Sequence, residues 1–218
     1  MLHYDDYISF VIGVSGVGKS SFINYITESS FCKTHDSHDI NKWNESCTNT
    51  CNIVSINYEN IHYSFADTPG FNYKNDDKVI NLIKDTIKYN NNIRCIIFVL
   101  PFIDIRLGNN ISEIFKKLME AIPIKNFWEH IFFIRNHAKK DDVDFEEDKI
   151  RVEESIPNFF KEHQNLKNFM EIKNIDFPNK IEQFYVNCVN RNRYHALNIG
   201  EFKKIFNKIK NTPTIGKI

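Results

Sequence analysis

The sequence predicts an α/β domain on a mainly parallel sheet of about six strands with helices on both faces. Three observations carry that expectation. Short apolar runs alternate along the chain with stretches whose apolar residues recur at helical spacing. The run Ile93–Pro101 is apolar enough to be a strand covered on both sides, which parallel sheets require. Finally, the strand-like Phe10-Val11-Ile12 passes through a short glycine-rich loop directly into the helical pattern Phe22-Ile23-Asn24-Tyr25-Ile26, the connection from which parallel sheets are built.

Taken in order, the elements after that first unit are these. A polar, aperiodic stretch from about Cys32 to Cys51 reads as a loop by its Asp, Asn, Ser and His content. Asn52–Tyr58 and Ile61–Ala66 alternate apolar and polar residues around Glu59-Asn60, an antiparallel hairpin. Val79, Ile80, Leu82, Ile83 and Ile87 give Asp76–Tyr89 a helical stripe. The buried strand Ile93–Pro101 precedes a helix from about Ser112 to Ala121. His130–Ile134 is a further short buried strand, and acidic residues lead into a helix from about Glu146 to His163. Gln183–Val189 reads as the last strand. Ile199, Phe202, Ile205, Phe206 and Ile209 stripe a closing helix whose lysines form a solvated outer face. One domain over residues 1–218, with a core over about 8–210, accommodates all of this.

Composition limits the function. Lys+Arg 28 balance Asp+Glu 28, so no general nucleic-acid-binding surface is expected. With 42% hydrophobic and 14% aromatic residues the chain should pack a core. The five cysteines are odd in number and scattered, which argues against a disulfide framework and for a reducing compartment. Cys47 and Cys51 lack the second pair that a zinc site needs. The first residues are acidic where a secretory leader would be basic, and no apolar run is long enough to span a bilayer. The expectation is a cytoplasmic protein without an integral membrane segment, any peripheral membrane contact being made through partners.

The chemistry lies in the first loop, Gly13-Val14-Ser15-Gly16-Val17-Gly18-Lys19-Ser20-Ser21. The spacing G-x-x-x-x-G-K-S lets successive backbone N–H groups turn inward around a phosphate chain, and the helix that follows adds the positive end of its dipole. Lys19 is placed to reach the β- and γ-phosphates, and the Ser20 hydroxyl to ligate Mg²⁺. Asp67-Thr68-Pro69-Gly70 follows the strand Ile61–Ala66. A carboxylate at the end of a strand beside the loop is the second Mg²⁺-holding group, and Gly70 leaves room for its N–H to approach the γ-phosphate. Together the two motifs predict a GTPase with GTP or GDP and Mg²⁺ as its ligands.

Ser46-Cys47-Thr48-Asn49-Thr50-Cys51, the box from Phe98-Val99-Leu100-Pro101 through Arg106, and Asn192-Arg193-Tyr194-His195-Ala196-Leu197-Asn198 resemble segments of the AIG-type (GIMAP, immunity-associated) GTPases, with the Toc chloroplast-import GTPases as neighbours. The resemblance runs from about Ile8 to Phe206. It implies that Thr48, or Thr50 two residues on, is the switch threonine meeting Mg²⁺ in the triphosphate state. The stretches around it and over Phe71–Asp77 would be the two switches.

The base motif departs from the common N-K-x-D. Arg135-Asn136-His137-Ala138-Lys139 puts lysine where the aspartate should stand. By resemblance, Asn136 and His137 contact the base and Asn192 completes the pocket from the last loop, with Asp141 or Asp142 as alternative carboxylates. Phe71 stands where Ras-like GTPases carry the glutamine that orients water, so slow intrinsic hydrolysis is expected. The resemblance also implies nucleotide-dependent pairing of two copies, in which Arg106 could act across the interface. A nucleotide-loaded assembly scaffold without turnover is the second reading, and an ATPase or nucleotide kinase the third.

Overall fold

The computed structural model describes residues 6–32, 52–71, 76–90, 92–103, 109–139, 142–178, 180–188 and 191–216, with the backbone alone at 109 and over 191–197. Six strands, β1 (Tyr7–Ile12), β2 (Asn52–Tyr58), β3 (Ile61–Asp67), β4 (Ile93–Pro101), β5 (Ile131–Asn136) and β6 (Gln183–Tyr185), form one sheet in the order β2-β3-β1-β4-β5-β6. All neighbours are parallel except β2 and β3, which form the expected antiparallel hairpin. Helices are α1 (Lys19–Ile26), α2 (Asp76–Tyr89), α3 (Asn109–Ala121), α4 (Phe145–Glu162), α5 (Gln164–Ile172) and α6 (Arg191–Asn211).

The alternation of side chains along each strand sorts the core into two layers. On β1, Ile8, Phe10 and Ile12 face α2, α3 and α4, whereas Val11 faces α1 and α6. On β4, Ile96, Phe98 and Leu100 take the first face and Cys95, Ile97 and Val99 the second. That is why the stretch 95–100 reads as continuously apolar: along it neither face meets water. The stripe foreseen for the closing helix is buried at Phe202, Ile205, Phe206 and Ile209, but Ile199, expected in it, is exposed. Phe206 stacks on Tyr58 of the hairpin with centroids 4.3 Å apart.

Two expectations need correction, and one element was not foreseen. That element is α5, which follows α4 across a break at His163 (φ −104°, ψ 67°), burying only Leu166 and Met170. The last strand ends at Tyr185 rather than Val189: Val186 N–H still donates to Arg135 O of β5 at 3.0 Å, but its carbonyl accepts from Ala138 N at 3.0 Å in the turn beyond β5. The closing helix starts at Arg191, so Asn192 belongs to a helix and not to a loop.

His130 ends the 3-10 turn Phe127–His130 before β5 and is 2% exposed, its Nδ1–H donating to Arg94 O at 2.9 Å. Burial pushes this imidazole below its ordinary value. The unfolded chain takes up the proton near pH 6.5 while the folded protein resists it. Stability contributed by neutral His130 is therefore full above about pH 6.5 and falls as the pH drops below it. Urea melts of wild type and His130→Gln between pH 5 and 8 are expected to converge toward the acid end, the wild type losing the more.

Candidate functional site

β1 lies at the centre of the sheet with parallel neighbours on both sides, so connections leave it in opposite directions and a crevice opens at its carboxyl end. The loop Gly13–Gly18 fills that crevice. Gly13 adopts φ 148°, and a Cβ there would stand 2.5 Å from Val99 O; only glycine fits the close approach of loop to β4. Gly18 (φ 88°) caps α1, and Lys19 is the helix's first residue. The Lys19 ammonium is 7% exposed and donates to Val14 O at 3.2 Å, which holds it across the loop's mouth.

The end of β3 is laced to this loop. Ser20 Oγ donates to Asp67 Oδ2 at 2.7 Å, joining the hydroxyl and carboxylate from two motifs 47 residues apart. Thr68 Oγ1 donates to Val11 O at 2.9 Å, and Phe71 N to Gly13 O at 3.0 Å. A Cβ on Gly70 would lie 2.6 Å from Ser15 Cα and 2.7 Å from Ser15 N. Gly70→Ala must therefore push the two loops apart. We expect it to lower thermal stability by about 1–3 kcal/mol and to weaken triphosphate more than diphosphate binding, measured by melting and by parallel titrations. Phe71 is 1% exposed and packs in the core with Val79 and Ile80.

Asn136 ends β5, is fully buried, and ties three segments together. Its Nδ2 donates to Val17 O at 3.2 Å, and its Oδ1 accepts from His137 N at 2.8 Å and from Cys188 N at 3.3 Å. His137 has φ 67°, which turns the chain over the loop; a Cβ on Gly18 would be 3.8 Å from its Nε2. Desolvation holds the His137 imidazole below its ordinary value, so it is neutral at pH 7. Lys139 is exposed, and Asp142 N donates to Lys139 O at 2.9 Å in the turn that opens α4. The Asp142 Oδ1 is engaged by Val143 N at 3.1 Å.

The structure thus brings together Gly13, Val14, Ser15, Gly16, Val17, Gly18, Lys19, Ser20, Ser21, Asp67, Gly70, Asn136 and His137 at the carboxyl end of the sheet. Thr48, Thr50, Arg106 and Asp141 lie outside the described residues, and of Asn192 only the helical backbone is described. Sequence reasoning missed Asn198. This buried residue of α6 accepts from Asn187 N at 3.2 Å and donates to Asn187 O at 2.9 Å, fixing the loop that carries Cys188 N to Asn136. It also missed Asn24, whose amide brackets Cys32 by its N–H (2.9 Å) and carbonyl (2.8 Å). For Asn24 a polar residue within an apolar helical stripe is the only signal; Asn198 also closes the segment 192–198, whose resemblance assigns no task to that position.

A family model described as 50S ribosome-binding GTPase matches residues 9–136. No curated protein matches the chain. Among solved structures, the fold is similar to Toc33 from Arabidopsis thaliana in complex with GDP and Mg²⁺ (TM-score 0.69, 16% identity, 98% of this chain and 88% of that one covered). It is also similar to a dimerization-deficient mutant of Toc33 (TM-score 0.62, 16% identity, 86% and 72% covered). A more distant likeness is to Era in complex with MgGDPNP and a segment of 16S ribosomal RNA (TM-score 0.54, 16% identity, 97% and 58% covered).

Proposed function

From the premise that the chain belongs to the 50S ribosome-binding GTPase family, whose model spans residues 9–136 of 218, we propose that it is a guanine-nucleotide switch of the AIG type, one G domain over the whole chain. The observation that carries this is the Ser20–Asp67 contact at the mouth of a loop that Lys19 closes and Asn136 anchors. A hydroxyl and a carboxylate in contact are the oxygen donors Mg²⁺ takes, and they stand beside the N-terminus of α1. Ser20 and Asp67 would hold the ion, with Thr48 joining them in the triphosphate state. Mg²⁺, when bound, neutralises charge that builds on the β- and γ-phosphate oxygens.

The chain's own groups do the rest. Inward N–H groups of the loop bind and orient the phosphates, and Lys19 leaves Val14 O for the β- and γ-oxygens. Gly70, packed on Ser15, transmits the presence of the γ-phosphate to the segment that follows Phe71, the switching step. Asn136, His137 and Asn192 would form the base pocket. The AIG assignment is supported by the Ser46–Cys51 stretch, the box ending at Arg106 and the segment 192–198, in which Asn198 has a defined structural task. The Toc33 fold likeness is in keeping with it.

With Phe71 in the core, this site positions water poorly, and intrinsic turnover is slow. Nucleotide-dependent self-association, with Arg106 acting in trans, would raise it. The same buried Phe71 favours the second reading, a GTP-loaded scaffold without turnover. No helix among the described residues is long and apolar enough to cross a membrane. We place the protein in the cytoplasm, a reading that the free cysteines Cys32, Cys95 and Cys188 support.

Competition of unlabelled GTP, GDP and ATP against a fluorescent guanine nucleotide with Mg²⁺ tests the assignment. Guanine preference is expected; equal or better ATP binding overturns it. Phosphate release per molecule that rises with protein concentration separates the switch from the scaffold, for which it stays at zero.

A further inference from the structure

A sheet edge carries unpaired N–H and C=O groups, and proteins blunt such edges with charge, proline, bulges or brevity. The two edges of this sheet differ. β6 is three residues long, and its Tyr185 N–H is taken by Glu201 Oε2 at 3.2 Å. β2 is the last strand on the other side among the described residues and has none of these devices. Its sequence, Asn-Ile-Val-Ser-Ile-Asn-Tyr, contains no charge and no proline, and its register against β3 runs without a bulge from Asn52↔Asp67 to Tyr58↔Ile61.

The hairpin turn determines which groups face outward. Glu59 (φ 49°) and Asn60 (φ 63°) make a two-residue loop of the type that fits the strand twist, so Tyr58 and Ile61 flank it as a hydrogen-bonded pair. Bonded and non-bonded pairs alternate along an antiparallel ladder. Tyr58, Ile56, Val54 and Asn52 therefore bond to β3, while Ile53, Ser55 and Asn57 carry their N–H and C=O to the open edge. Val54, Ile56 and Tyr58 project to the α6 layer, and Ile53, 44% exposed, projects to the opposite side.

We propose that β2 is a self-pairing edge: a second copy of this chain adds its own β2 antiparallel about a two-fold axis at Ser55, joining the two sheets into one. The outward set is self-complementary in that register alone. Ser55 meets Ser55 of the partner subunit, Ile53 meets the partner's Asn57, and each pair exchanges both of its backbone bonds. The pleat stays in phase, so the layer under α6 in one copy continues into the same layer of the other. No like charges face each other, because the strand has none. This interface lies on the sheet edge, goes beyond the nucleotide reading, and does not depend on it.

Amide hydrogen exchange on the full chain, followed by NMR from low micromolar to millimolar concentration, tests it together with the mass in solution. On concentrating, the amides of Ile53, Ser55 and Asn57 are expected to slow by roughly tenfold or more as the mass doubles. Val54 and Ile56, already bonded to β3, should change little. Without added nucleotide, Ser55→Lys, on the exposed side of the strand, sets two cations opposite each other and is expected to stay monomeric, while its nucleotide affinity, measured separately, is unchanged. The proposal is overturned if the three alternate amides exchange at one rate at every concentration, or if doubling of the mass protects other segments only. It also fails if Ser55→Lys, confirmed folded by its nucleotide binding, dimerises like the wild type.

Discussion

Lys19→Ala is expected to lose GTP and GDP affinity by roughly 10²–10³-fold while melting within a few degrees of the wild type. Removing one member of a desolvated, charge-assisted contact costs about 2–5 kcal/mol, and each 1.4 kcal/mol is about tenfold in affinity. The effect on the fold is expected to be small because a bond the ammonium makes within the loop, to Val14 O at 3.2 Å, is one that water can replace. Val14 is an exposed loop residue, so water can take over its carbonyl. Isothermal titration with Mg²⁺, beside a thermal melt of the same sample, separates the two effects. Affinity within about threefold of the wild type in a folded variant would remove the glycine loop from the nucleotide site.

Asn136→Ala should damage both fold and binding. The side chain is fully buried and its loss leaves Val17 O and Cys188 N without their partner. Each orphaned buried group costs about 1–3 kcal/mol, so a loss near 3–5 kcal/mol and a fall of roughly 6–20 °C in melting temperature follow for a chain of this size. Nucleotide affinity should drop in the same variant, since the loop and the base side lose their common tie. Asn136→Asp offers a sharper comparison. It keeps the acceptor for His137 N and Cys188 N but sets a carboxylate against Val17 O, so the damage should concentrate in the loop. A variant Asn136→Ala that melts like the wild type would show that another residue holds these segments.

What the sequence made legible was local. β2, α2 and β4 were bounded from periodicity because their burial pattern is their sequence pattern. The loop was recognisable because one contiguous run supplies its glycines, lysine and serine. α5 was obscured because Leu166 and Met170 bury only a narrow stripe in an otherwise polar stretch. The base side was obscured for another reason. Asn136 acts through contacts 119 and 52 residues away in sequence, and Asn198 through one 11 residues back across a strand-to-helix turn. No spacing rule reports such partners. Phe71 was read by its place after Gly70 as the position of a missing catalytic group. Its burial shows that the position also serves the core, which a motif cannot reveal.

The Asn187–Asn198 clamp has a consequence for the order in which the molecule is made. The phosphate loop precedes five of the six strands, yet the segment that presents Cys188 N to Asn136 is held by α6, which is made after the whole sheet. The same helix supplies Phe206, which covers the β2–β3 hairpin. A nascent chain halted before Asn198 would carry glycine loop, Asp67 and Asn136 without the brace that unites them. Tight nucleotide capture is therefore expected only once α6 has been made, which binding to chains truncated before and after Asn198 checks.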